Sequence, residues 1–581
     1  MTVTETGSVE IVVERGVMVP MRDGVRLAAD VWRRADGQPE PVLICRTPYG
    51  RSMLEMMGSP VAMAKAGFAV VHQDCRGRFE SEGSDWRPID LDIDDGYDTV
   101  EWAAAQPWSN GKVGLFGASY MGYTQWQAAI AHPPSLVAIL PETAAADYWD
   151  PAWGPGGAFR VANRVGWAFL VGLEEARRQR LDDPMLTRIR DAMEGIDPGD
   201  LVARNAAFAP IEDEMFRHRP LRDIPFLRTV APWYADYFDR SERDHPAWLS
   251  VNPLSHMATF DLLAIHVGGW YDVQLSNTIL SYQGMTTSAA TERARRNQRL
   301  IIGPWPHWSV ASGIVGELDF GPDAVLDTTA LRLDWFSHWL KDQPSALVDQ
   351  PPVRLFVMGE NVWRDEQEWP LARTEWTPWY LHGDGRFSAD RPRDDEPPDQ
   401  FTFDPRDPVP TRGGRLLGVA GVTPGAVDQR ELEDRADVLV YTSEVLTGPI
   451  EITGPVRADL WVATTAADTD FTAKLIDVHP DGRAFNICDG IVRARTVASI
   501  PLVAGATYCL TIDLAATSIV LPAGHRLRVH VSSSNFPMFE PNANTGNPAG
   551  TDTEAELRSA DQTVFHDRAR PSRIVLPLIP R

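Results

Sequence analysis

Cysteine is scarce in this chain. Cys45, Cys75, Cys488 and Cys509 are the only four among 581 residues, and no two form a C-x-x-C pair. That spacing excludes a disulfide-stapled framework and a cysteine-built zinc site, and leaves buried free thiols in a cytoplasmic protein as the expectation. Basic residues are also short, 55 against 80 acidic ones, for a net charge of −25. Charge of that sign opposes phosphate backbones and anionic lipid, so nucleic acid and membrane are not expected partners and the acidity is read as serving solubility. No apolar run approaches the length that spans a bilayer. The opening Met1-Thr2-Val3-Thr4-Glu5-Thr6 lacks the basic and apolar regions of a secretory signal. No internal repeat is visible.

What the chain does have is a serine between glycines where an apolar run meets amphipathic sequence. Lys112-Val113-Gly114-Leu115-Phe116 reads as a buried strand, Gly117-Ala118-Ser119-Tyr120-Met121-Gly122 as a turn, and Thr124–Ile130 as a helix. A strand-to-helix turn this tight needs small residues beside the serine, since side chains there would collide with neighbouring elements. The spacing is G-x-S-Y-x-G, a variant of the nucleophile elbow of α/β-hydrolases.

Length and periodicity divide the chain. At 581 residues it exceeds one core. Residues 1–146 alternate strand-like runs (Gly16–Val19, Leu27–Trp32, Val42–Cys45, Ala69–Gln73, Val113–Phe116, Ala138–Leu140) with helical ones (Val61–Ala66, Tyr97–Ala105), predicting a mostly parallel sheet covered on both faces. Pro20–Val25 reads as a hairpin turn, which makes the first strand pair antiparallel. Residues 147–245 are rich in Ala, Arg, Leu and aromatics at helical spacing, a helical insertion with helices at Val161–Glu175, Pro184–Glu194 and Trp233–Asp239. The sheet resumes over 246–352, with strands Leu262–Val267 and Arg299–Ile302 and a helix Thr328–Lys341. From 353 to 581 the period becomes two (Val353–Met358, Asp437–Thr442, Arg457–Val462, Leu510–Leu514, Arg526–Ser532), predicting a jelly-roll β-sandwich, with polar Gly383–Gly414 as a surface excursion.

A serine hydroxyl is a weak nucleophile and needs a histidine base oriented by a carboxylate. In α/β-hydrolases these follow the serine in the order acid, then histidine, on loops after later strands. Leu262–Val267 runs into Gly268-Gly269-Trp270-Tyr271-Asp272, and Arg299–Ile302 into Gly303-Pro304-Trp305-Pro306-His307. Asp272 and His307 are therefore the acid and base expected for Ser119. The developing oxyanion needs donors. One is the Tyr120 amide; the other would come from the loop Arg46-Thr47-Pro48-Tyr49-Gly50. There Tyr49 could present its phenol, and spacing alone does not separate that from a packed loop tyrosine. Asp90, Asp92, Asp94 and Glu101 fall at calcium-loop spacing, but Asp95 replaces the turn glycine and apolar Leu91 and Ile93 intervene, so helix-start aspartates are the better reading.

With these pieces assembled, the chain resembles the cocaine esterase-like serine hydrolases, the X-prolyl dipeptidyl peptidase and α-amino-acid ester hydrolase group. The resemblance runs nearly end to end. It rests on Met18–Leu27, Gln73-Asp74-Cys75-Arg76-Gly77 with Ser81-Glu82-Gly83, the Ser119 elbow, Gly154-Pro155-Gly156-Gly157, Gly269–Asp272, Gly303–His307, Asp468–Leu475 and Ser532–Pro537. It implies an α/β-hydrolase domain with an inserted helical cap and a C-terminal jelly roll. It also implies Ser119, Asp272 and His307 as the triad, Tyr49 and the Tyr120 amide as the oxyanion hole, and no metal or organic cofactor.

Departures fall at the pocket. Val273-Gln274 follows Asp272 where the cocaine esterase has an aromatic two residues past the acid, and Gly418 replaces an aromatic after Leu416-Leu417. Loss of two aromatic walls implies a wider or more polar acyl pocket. Trp153, Trp167, Gln274 and Leu417 are the candidate pocket residues. The leading expectation is an esterase acting on small carboxylic esters, with a homodimer as the possible assembly. The alternatives are an amidase or peptidase of the same group, whose substrate ammonium would need carboxylates such as Asp147, Asp150 or Glu174, and a carbohydrate-binding protein with an inactive hydrolase half.

Overall fold

The computed structural model describes residues 9–84, 86–88, 92–197, 200–307, 310–418, 421–498 and 502–580; Asp90 and the first six residues, both discussed above, lie outside them. The first eight of the catalytic sheet's ten strands are β1 (Ile11–Pro20), β2 (Arg26–Arg34), β3 (Glu40–Thr47), β4 (Ala69–Asp74), β5 (Ser109–Ala118), β6 (Leu136–Glu142), β7 (Leu263–Gly269) and β8 (Gln298–Gly303). Their order is β1-β2-β4-β3-β5-β6-β7-β8. The expected hairpin joins β1 to β2, closed by a 2.8 Å hydrogen bond from the Met21 amide to the Val25 carbonyl. From β4 and β3 through β8 every pairing is parallel. Parallel strands end on one edge, so the loops after β5, β7 and β8 meet there, where open α/β sheets bind ligands.

One sequence expectation changes. Val353–Val357, read as the first sandwich strand, pairs parallel with β8, and Val362–Glu366 pairs antiparallel with it. The catalytic sheet thus runs past residue 352. The reason is burial: Val353, Leu355, Phe356 and Val357 are all inside, and an apolar run covered on both faces has no alternation to mark which sheet it joins.

The sandwich follows. Its larger sheet is built around the long strand Ile450–Thr464, flanked by Tyr508–Leu521, Ala560–Phe565 and Arg573–Leu578; the smaller contains Leu439–Thr442, Arg526–Ser532, Asp470–Val478 and Ala484–Arg493. The segment read as a surface excursion contributes Asp399–Phe403, which pairs with Ala560–Phe565 and buries Phe401 and Phe403. The sandwich core is continuous with Trp270, Tyr271, Leu300 and Ile302 of the catalytic layer. Tyr271 donates from its hydroxyl to the Asn486 carbonyl at 3.0 Å, tying the loop before Asp272 to the second domain.

Between β6 and β7 the chain forms the helical cap, with helices Val161–Gln179, Pro184–Met193, Leu201–Phe216 and Pro225–Val230. Leu201–Phe216 was hidden in the sequence by Pro210 in its interior. The cap core is unusually aromatic, including Trp153, Phe159, Phe169, Trp233 and Phe238. Gly156 explains one quoted motif. A Cβ there would sit 2.0 Å from the Ile491 carbonyl oxygen, and its own carbonyl accepts from the Arg493 amide at 2.9 Å. The cap therefore docks on the sandwich backbone to backbone. Gly156→Ala is expected to destabilise the protein by about 1–3 kcal/mol, as overpacking does; an unchanged Tm would contradict this close approach.

Candidate active site

Ser119 follows β5 and caps the helix Tyr120–Ile130 at φ 57°, ψ −122°, a strained conformation for a non-glycine residue. The motif glycines make room for it. A Cβ on Gly117 would meet Met121 at 2.6 Å and the Cys45 sulfur at 2.9 Å, and one on Gly122 would meet the Ala144 Cβ at 2.4 Å. Gly269 is held likewise, 2.0 Å from the Trp305 carbonyl by the same construction. The loops carrying Asp272 and His307 are therefore pressed together, and only glycine fits between them.

The three side chains expected from sequence converge. His307 Nε2 lies 2.8 Å from Ser119 Oγ, and His307 Nδ1 lies 2.8 Å from Asp272 Oδ1. Asp272 Oδ1 also accepts the Gln274 amide at 2.9 Å, which fixes the carboxylate plane. Asp272 and His307 are buried, and Ser119 is 9% exposed on the cavity wall. With the carboxylate on Nδ1, the imidazole presents Nε2 to the serine proton. This arrangement can generate an alkoxide nucleophile at a carbonyl carbon.

Tyr49 also arrives. Its hydroxyl accepts a 2.9 Å hydrogen bond from the Trp167 indole, and the side chain shares the cavity wall with Ser119. Burial raises its pKa, so the phenol keeps its proton and can donate. Tyr120 supplies the first amide of the helix after Ser119, on the positive end of that dipole. Its hydroxyl points away, donating to Asp92 at 2.7 Å, and Asp92, Asp94 and Asp95 form the first turn of the helix Asp92–Ala104. That accounts for Asp92 and Asp94 of the calcium-like spacing, while Glu101 accepts from the Ser135 amide and hydroxyl at 3.0 Å each.

A cavity partly open to solvent adjoins Ser119 and His307. Trp167, Gln274 and Leu417 line it, as expected. Trp153 does not. It is 2% exposed and packs edge-on against Phe159 and Phe238 in the cap core. Helical spacing could not separate it from Trp167, since both lie on apolar faces. Sequence reasoning missed Tyr123, Tyr148, Arg164 and Tyr237, which also line the cavity. Tyr123 was findable one turn after Ser119, and Arg164 one turn before Trp167. Asp147, Asp150 and Glu174 are committed elsewhere, to Arg243 and Asn252, to Asn277, and to Arg177 respectively.

Among the described residues, one cluster has metal-ligand spacing: Asp477, His479 and His525 of the sandwich, with Asp477 hydrogen-bonded to His525 Nδ1 at 2.7 Å and 3.2 Å from His479 Nε2. It has no part in the cavity beside Ser119.

Comparison with known proteins agrees with this architecture. Residues 23–309 match the X-Pro dipeptidyl-peptidase (S15 family) model and residues 346–575 its C-terminal non-catalytic domain. The chain belongs to the S15 family. It is 39% identical to the cocaine esterase of Rhodococcus sp. (strain MB1 Bresler), over 98% of this chain and 99% of that one. An aminopeptidase from a marine sediment Thaumarchaeota archaeon superposes with a TM-score of 0.81 at 26% identity, covering 98% and 96% of the two chains. An α-amino acid ester hydrolase gives 0.79 at 26% identity with the same coverage. The protein is thus an enzyme, a hydrolase of the serine esterase class. No helix among the described residues is long and apolar enough to cross a membrane.

The two tryptophans are separable by experiment. Trp167→Phe removes the indole donor to Tyr49 and is expected to lower kcat about tenfold, the worth of one hydrogen bond. Trp153→Phe is expected to lower Tm while leaving kcat within twofold. A larger kcat loss for Trp153→Phe than for Trp167→Phe would reverse the assignment.

Proposed function

We propose that this protein hydrolyses small carboxylic esters through an acyl-enzyme on Ser119. The observation that carries the reading is the hydrogen-bonded chain Asp272–His307–Ser119 at 2.8 Å per link. His307 takes the serine proton as Oγ attacks the ester carbonyl, and Asp272 holds the imidazolium. Tyr49 and the Tyr120 amide receive the oxyanion, which collapses to expel the alcohol with the proton from His307. Water then repeats the sequence on the acyl-enzyme and releases the acid. The resemblance to the Rhodococcus enzyme over nearly the whole chain supports ester chemistry.

The amidase or peptidase reading is the weaker one. Recognition of a substrate ammonium calls for carboxylates on the pocket wall, and no Asp or Glu is among the described residues lining this cavity. Four free thiols accord with action in a reducing cytoplasm.

Ser119→Ala should cut turnover of a chromogenic aryl ester by roughly 10⁶, and loss below tenfold would reject Ser119 as nucleophile. Tyr49→Phe should cost about 10²–10³ in kcat if its phenol meets the transition state. A rate equal to that of the parent enzyme would remove Tyr49 from the oxyanion hole.

A further inference from the structure

Arg164 is a buried cation with no carboxylate among the described residues to neutralise it. It is 9% exposed and stands on the cavity wall beside Ser119, on the helix Val161–Gln179. Its guanidinium lies 5.4 Å from the Trp167 ring centroid and 5.8 Å from that of Tyr237. Its one hydrogen bond to a described residue is a long 3.4 Å contact from Nη1 to the Tyr237 hydroxyl, and its buried Nε has no acceptor. No carboxylate among the described residues lies within ion-pair distance.

Two other buried arginines show what this chain does when such a charge is structural. Arg160, one turn earlier, has Asp150 at 3.8 Å and donates to the Val273 carbonyl at 2.9 Å. Arg78 lacks a carboxylate, yet donates to the carbonyls of Pro48 and Val171 at 3.1 and 3.0 Å while stacking on Trp86. Arg164 has neither kind of partner. Ring faces compensate a buried charge only in part. No described residue supplies the missing acceptor, and the cavity beside Ser119 is where a ligand can supply it. A guanidinium presents a planar fork of donors whose natural complement is a carboxylate.

We propose that Arg164 determines specificity by binding a carboxylate of the substrate, so that the preferred esters are anionic: monoesters of dicarboxylic acids or esters that carry a free acid on one arm. The inference rests on the esterase reading above and adds the charge of the substrate. In a chain of net charge −25 the one charged group among the described residues lining the cavity, apart from the histidine at Ser119, is positive.

The test compares monomethyl esters of C5–C8 dicarboxylic acids with methyl esters of neutral acids of equal length, followed by release of methanol. At the best chain length the anionic ester should show a kcat/KM at least tenfold higher, expressed mainly in KM. Arg164→Met should lower the anionic-to-neutral ratio at least tenfold, and Arg164→Lys should restore part of it. Calorimetry on Ser119→Ala protein adds a readout independent of turnover: monomethyl adipate should bind, and the Ser119→Ala/Arg164→Met protein should bind it at least tenfold more weakly. Equal kcat/KM for the two ester series, or a ratio unmoved in both Arg164 variants, would overturn the proposal. If the parent enzyme hydrolysed neither series, the esterase reading would fail instead, and the binding comparison would still judge Arg164.

Discussion

The site depends on one strained turn. Ser119 holds a left-handed backbone conformation that a non-glycine residue adopts only at a cost of about 1–3 kcal/mol, and the surrounding structure enforces it. Gly117 and Gly122 admit Met121, Cys45 and Ala144 to distances that no side chain would tolerate, so β5 and the following helix meet at an angle that lifts the hydroxyl off the sheet edge. The same device recurs at Gly269 against Trp305, which brings the acid and histidine loops to bonding distance. Three glycines thus set the geometry that His307 and Asp272 complete.

Around this rigid centre, part of the cavity wall comes from elements that are not part of the sheet. The cap contributes Trp167, Arg164 and Tyr237, and the sandwich side contributes Leu417. Trp167 has two functions: its indole nitrogen orients the Tyr49 phenol, and its ring lies beside the Arg164 guanidinium. The Tyr49 phenol and the cavity's charge are therefore coupled through one side chain. Docking of the cap on the sandwich at Gly156, and of the Asp272 loop on the sandwich through Tyr271, holds these contributions in register.

Much of this was legible in the sequence, and the reasons are physical. Ser119, Asp272 and His307 each follow an apolar strand bounded by glycine, so local pattern and chemistry point the same way. Tyr49 was readable as a candidate because it follows β3. Trp153 was not separable from Trp167, because burial in a cap core and burial at a cavity wall leave the same helical period. Val353–Val357 was assigned to the wrong sheet because a strand covered on both faces carries no alternation. Arg164 escaped notice in an arginine-rich segment. That it has no ion-pair partner among the described residues is visible only in the folded chain.

Covalent labelling of the nucleophile tests the central claim most directly. Reaction with an aryl phosphonate, followed by intact-mass and peptide mass spectrometry, should add one phosphonyl group per chain, carried on the peptide that contains Ser119. An adduct located on any other residue, or a fully active enzyme that takes up none, would contradict the account.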